Sequence, residues 1–274
     1  MNYEVHVLNE DVVYIVDDFY GCLYFLKGRD LSLVIDLGMS REPLKPLIDK
    51  YITTPYKVVV THGHLDHVGR SGEFEHIYMD EKDLEIYANN YKLGDIDDMY
   101  NMDGLELCPI ENIIPLPDYF DLGDRKVYVV SCPGHTPGSV VFVDPKNRVV
   151  FTGDAIGSGC SVWMQVDYAL DLYSYNQALK HCYYQLILLG VNDTWYFLGG
   201  HYGHEFHSKV ASYNLLDIHI IENMIQLTQR LLEGKVNYRK IHATQFNTGQ
   251  PYYANYHKAE IIFTLDQLKN TSES

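Results

Sequence analysis

The chain has 274 residues, is 46% hydrophobic and carries a formal net charge of −16 at pH 7. That is enough apolar material for one large core or two small ones. The acidic balance argues against a phosphate-backbone binder or a protein held to an anionic membrane, since both need basic faces. An anionic small substrate stays open, because a bound dication reverses the local field.

The N-terminal stretch MNYEVHVLNEDVVYIVDD lacks a basic run followed by an apolar one, and no apolar run approaches a membrane span. The expectation is therefore a cytoplasmic protein. Cys22, Cys108, Cys132, Cys160 and Cys182 are scattered and never form a CxxC pair, which fits reduced thiols. The 24 tyrosines read as core and surface filling.

In chain order, YEVHVLN and VVYIVDD read as strands joined by a hairpin turn at Asn9, Glu10 and Asp11. CLYFLKG, LSLVIDLG and KVVVTH continue the strand series, and DEKDLEIYANNY predicts a helix with acidic residues in its first turn. Residues 89–118 show no clear periodicity and read as a long irregular connection, a candidate lid. Strands resume with KVYVVS, GSVVFVD and RVVFTGD.

Leu172, Tyr175, Leu179, Cys182, Leu186 and Leu189 then step at helical spacing, with Asp171 placed to cap and Gly190 to terminate. DTWYFLGGH is a strand. Tyr213, Leu216, Ile220, Met224, Leu227 and Leu231 predict a second long helix ending near Gly234, and AEIIFTLDQL a last strand before a frayed tail. The pattern is α/β, with sheets packed against outer helices in a single domain over 1–274.

The apolar strands end in a distinctive way. KVVV runs into His62, His64, Asp66 and His67; VYVVSCPG ends in His135, RVVFTG in Asp154 and WYFLGG in His201. Strand ends are where α/β sheets place ligand sites. A lone histidine there is ordinarily a hydrogen-bonded loop residue, and a lone aspartate after a glycine a turn former. The H-x-H-x-D-H cluster is too dense for that reading, and it raises the other three with it. Seven such side chains suffice for two divalent ions, with zinc the first expectation and iron, manganese or cobalt chemical alternatives. His6, His76, His181, His219 and His242 lack a strand-end setting. His204, His207 and His257 receive no role, although His204 could line a pocket near His201.

THGHLDHVG, CPGHTPGS, FTGDAI and GGHYG, in that order, resemble the motifs of the metallo-β-lactamase-fold hydrolases. The resemblance implies an αββα sandwich of two mixed β-sheets flanked by helices, with a binuclear centre at one edge. It implies that His62, His64 and His135 hold one metal, that Asp66, His67 and His201 hold the other, and that Asp154 bridges them. Asp36 in VIDLG matches the family's buried aspartate behind the motif loop, with a turn-forming role as the alternative. The aspartate bridge and full H-x-H-x-D-H resemble the thioesterase, lactonase and phosphoesterase branches rather than the β-lactamases proper. Gly157 stands where the quorum-signal lactonases carry a tyrosine.

The expected function is hydrolysis of a small ester, thioester or lactone by a metal-bridging hydroxide, with Asp66 orienting the hydroxide and passing its proton to the leaving group. A phosphodiesterase, on a choline-type substrate for example, is the alternative enzyme, and a non-catalytic metal-binding protein the alternative of another class. Ile156, Trp163, Met164, Tyr168, Tyr173 and His204 are the candidate pocket residues; the aromatic and methionine side chains suit either an apolar wall or core cover. No basic residue lies between Arg148 and Lys180, so a compact, uncharged or cationic group is expected beside the metals. The expected partner is a small-molecule substrate, with no nucleic acid and no membrane; association into a homo-oligomer stays open.

Overall fold

The computed structural model describes residues 3–90, 105–157, 161–202, 216–242 and 246–268. The chain divides into two compact units, 1–129 and 130–274. No linker separates them, since the boundary falls inside a strand, β9 (Lys126–Ser131).

The first unit is built on a seven-stranded sheet in sequential order: β1 (Glu4–Val7), β2 (Val12–Val16), β3 (Cys22–Leu26), β4 (Ser32–Ile35), β5 (Tyr56–Val59), β6 (Ile77–Met79) and β7 (Ile113–Pro115). β1 to β4 form an antiparallel meander, and β4 to β7 run parallel. Asn9 makes the first turn, its Oδ1 accepting from Asp11 N and Val12 N at 2.9 Å each. β2, β3 and β4 are buried at every position, as their unbroken apolar runs require. Ile15, Phe25, Val34, Val58, Val60 and Ile77 belong to the core, which α1 (Lys45–Tyr51) enters through Ile48. α2 (Leu65–Val68) and α3 (Leu84–Asn90) follow β5 and β6. β8 (Tyr119–Asp121) pairs with the start of β9 as a hairpin.

In the second unit β10 (Val140–Asp144) and β11 (Val149–Gly153) are antiparallel. β13 (Tyr196–Gly199) lies parallel to β11 after the crossover helix α4 (Leu172–Leu188). A further sheet has the order β12 (Val162–Trp163), β16 (Ala259–Thr264), β15 (Pro251–Tyr256), β14 (Arg239–Lys240). α4 packs on α5 (His219–Leu232) around a buried polar tie, in which Asn176 Nδ2 donates to Ile225 O at 2.9 Å and Thr228 Oγ1 at 2.8 Å. Asp171 caps α4 by accepting from Ser174 N at 2.8 Å, and Gly190 beyond its end takes a φ of 84°.

The structure corrects several sequence expectations. The second long helix opens at His219, because Leu216 exchanges both backbone hydrogen bonds with Phe197 and so cannot enter it; Tyr213 lies outside the described residues. Of the expected irregular stretch 89–118, residues 91–104 are outside the described residues. The part from 105 is pinned to the first unit: Tyr87 Oη donates to Cys108 O at 2.8 Å, and β7 joins the sheet. The last strand stops at Thr264, where Gln267 Oε1 accepts from Thr264 N and the chain turns into the 3-10 segment Leu265–Leu268.

Candidate metal centre

In the first unit the parallel pairing of Ile35 with Val59 sets Asp36 beside the segment that leaves β5. Asp36 N donates to Val59 O, and the residue takes a φ of 59° that turns its side chain under the next loop. Its carboxylate, 1% exposed, accepts from Thr61 N (2.7 Å), Thr61 Oγ1 (2.8 Å) and His67 Nδ1 (2.9 Å). A carboxylate only accepts, so Nδ1 of His67 carries the proton and Nε2 the lone pair. Thr61 Oγ1, having donated to Asp36, accepts from His62 Nδ1 at 3.1 Å, which puts the His62 lone pair on Nε2 as well. That Nε2 lies 3.1 Å from His64 Nδ1. His64 is also the first residue before α2, its carbonyl accepting from His67 N and Val68 N. Asp66, in the first turn of α2, has Oδ2 3.7 Å from His67 Nε2 and a side chain 35% exposed.

In the second unit the parallel register of Phe151 with Leu198 and Gly153 with Gly199 puts Asp154 and His201 at neighbouring strand ends. His201 Nε2 is 3.1 Å from Asp154 Oδ2, and His135 Nε2 is 3.7 Å from the same oxygen. His135 Nδ1 donates to Trp163 O at 2.7 Å, which leaves its lone pair on Nε2. The turn carrying His135 is held by α4 and by the residues just before it. Gly134 O accepts from Leu170 N, and a side chain at Gly134 would overlap the Tyr175 ring. Burial pushes the Tyr175 phenol well above its ordinary range, so it stays a donor and bonds Ala155 O at 2.7 Å beside Asp154.

These donor sets fit a divalent metal. Imidazole nitrogens and carboxylate oxygens crowd together in each unit, with the protons of His62, His67 and His135 directed at fixed partners on the opposite ring nitrogen. Two nitrogens on one tetrahedral zinc are about 3.3 Å apart, close to the His62–His64 separation.

The family model for the metallo-β-lactamase superfamily matches residues 17–201. The chain belongs to that superfamily. It is 27% identical over 143 residues to a probable metallo-hydrolase of Bacillus subtilis, covering 50% of this chain and 66% of that one. It is 25% identical over 165 residues to the hydroxyacylglutathione hydrolase GloC of Haemophilus influenzae (56% and 74% covered). It is 23% identical over 189 residues to a Bos taurus acyl-coenzyme A thioesterase (57% and 68%). The chain spans about two thirds or less of the first of these relatives and of an Aquifex aeolicus protein, 66% and 61%. Among solved structures, a metallo-β-lactamase from Pontibacter korlensis aligns with a TM-score of 0.58 at 18% identity, covering 83% of this chain and 99% of that one. A beta-lactamase domain protein from Burkholderia ambifaria aligns at 0.62 and 17% identity, covering 84% and 78%. At these identities the likeness shows the fold, which is the superfamily's.

Of the pocket candidates, Ile156 and Met164 are fully buried in the second unit, Trp163 is partly buried, and Tyr168 and Tyr173 are exposed. His204 and His207 lie outside the described residues. His257 occupies the turn between β15 and β16 with a φ of 50°. Asp144 makes a turn, accepting from Lys146 N at 3.0 Å and Asn147 Nδ2 at 2.6 Å. No described helix is long and apolar enough to cross a membrane. Thr61 and the Trp163 carbonyl were missed in the sequence. Thr61 carried a signal, a hydroxyl directly before the histidine cluster; a backbone carbonyl carries none.

Proposed function

We propose that the chain is a metal-dependent hydrolase of small acyl esters or thioesters, its two units working as one domain over 1–274. His62, His64 and His135 would hold one divalent ion, Asp66, His67 and His201 a second, with Asp154 shared; zinc suits the donor set first, iron or manganese next. The observation that carries the reading is the fixed orientation of His62, His67 and His135, with Thr61, Asp36 and the Trp163 carbonyl taking the protons opposite the lone pairs. When bound, the ions would supply an activated water at neutral pH and polarise the scissile carbonyl.

Asp66 orients the attacking water and passes its proton toward the leaving group, a role favoured by its exposure beside the buried His67. Trp163, Tyr168 and Tyr173 form an apolar side to the substrate, and the stretch from Ala155 to Leu179 brings no basic clamp. The names of the bovine and Haemophilus relatives favour an acyl thioester. The test is the zinc-loaded chain against short acyl thioesters, lactones, aryl esters and a choline-type phosphodiester. Thioester or ester turnover that chelation removes and zinc restores is expected. Turnover of the phosphodiester alone would replace the substrate reading, and no turnover with zinc, iron or manganese would overturn the activity.

A further inference from the structure

Gly63 stands between two of the proposed ligands, His62 and His64, and both its backbone polar groups are held by side chains from the 3-10 turn and helix that follow β6. Gly63 N donates to Asp83 Oδ2 at 2.8 Å. Gly63 O accepts from Asn90 Nδ2 at 2.8 Å. Asp83 is 0% exposed at the end of a 3-10 turn, and Asn90 is the last residue of α3. The fit is close: a Cβ at Gly63 would sit 3.0 Å from both Asp83 Cβ and Asp83 O. A buried carboxylate is costly unless it is hydrogen-bonded, and a bond from a backbone N–H to an ionised oxygen is among the stronger ones.

We propose that Asp83 and Asn90 are positioning residues for the metal site: together they clamp the peptide groups flanking Gly63 and thereby aim the His62 and His64 rings at a common point. The inference rests on the metal-ligand reading above. Its physical basis is that the two peptide planes meeting at Gly63 set the directions in which the neighbouring side chains leave the backbone. Glycine alone would let those planes rotate freely. A ligand pair needs its donor atoms held to within about 0.5 Å, which a loop achieves only with such support. Asp36 and Thr61 orient the ring of His62 from the sheet side; Asp83 and Asn90 fix the backbone that carries it.

The experiment compares the full chain with Asp83→Ala, Asp83→Asn and Asn90→Ala. Each is stripped of metal, its melting temperature is taken, and zinc is titrated against a chromophoric chelator. A cobalt-loaded sample of each gives a visible absorption band that reports ligand geometry. Zinc affinity is expected to fall at least about tenfold in Asp83→Ala and Asn90→Ala. Asp83→Asn should recover part of it, because its amide oxygen still accepts from Gly63 N. The cobalt band should shift in the two alanine variants. Affinity within twofold of wild type and an unshifted band, with only the metal-free melting temperature lowered, would make the pair purely structural and overturn the proposal. Should Asp83→Ala not fold, Asn90→Ala decides alone, since it leaves the buried carboxylate in place. Wild-type protein that binds no zinc would instead refute the metal reading itself.

Discussion

At the scale of single residues, Asp36 concentrates the most work in one side chain. It fixes Thr61 twice and His67 once, so Asp36→Ala should lower metal affinity by about 10–100-fold; an unchanged zinc titration would contradict that role. Asp144 is the last residue of β10 and Asp154 follows its partner β11, but the two serve differently. Asp154→Ala should reduce bound metal and hydrolysis together, whereas Asp144→Ala should keep both and lose about 1–2 kcal/mol of stability with its turn hydrogen bonds. The reverse result would invert the ligand assignment. Asp17 gives a pH test. Burial pushes its carboxyl up, against the pull of the Met39, Gly21 and Phe19 N–H groups. The folded chain therefore holds that proton more tightly than the unfolded one. The stabilising contribution is complete below about pH 4 and is lost as pH rises through the raised folded value. Asp17→Asn imitates the protonated form, so metal-free variant minus wild-type stability should increase as pH rises above about 4; a flat difference would contradict the upward push on that carboxyl. Four ligand candidates, His62, His64, Asp66 and His67, stood out in the sequence by their density, and His135, Asp154 and His201 by their strand-end setting. Asp83 and Asn90 did not, because each meets Gly63 across 20 and 27 residues of chain and looks like an ordinary helix-end residue in sequence.

At the scale of elements, long or fully buried segments announced themselves and short ones did not. α4 was readable from its periodicity and from Asp171 and Gly190 at its ends. Asp171→Ala should cost about 1 kcal/mol in chemical unfolding and leave the zinc stoichiometry untouched; a loss of metal would mean that α4 positions the His135 turn more directly than Gly134 and Tyr175 suggest. β6, β7, β12 and β14 have only two or three residues each, too few for an alternation to emerge. The start of α5 was misread because Leu216 continues the helical spacing while its backbone is committed to Phe197. β12 matters beyond its length: its parallel pairing with β16 at Trp163 and Ile262 fixes the carbonyl that sets the His135 tautomer.

At the scale of the whole molecule, the division into two units left no trace in composition, because β9 crosses the boundary as an unbroken strand. The family model spans both units, from residue 17 to 201, so the motifs and not the core pattern revealed the fold. Four ligand candidates come from the first unit and three from the second. On the proposed ligand set, removing the metal should lower the melting temperature of the chain. The central claim is that these side chains hold two ions. Elemental analysis of gently purified chain, after zinc loading and removal of excess, tests it most directly. The account predicts close to two equivalents per chain, falling as pH drops through the histidine range. A reproducible value near zero, unchanged by zinc, iron or manganese, would contradict it.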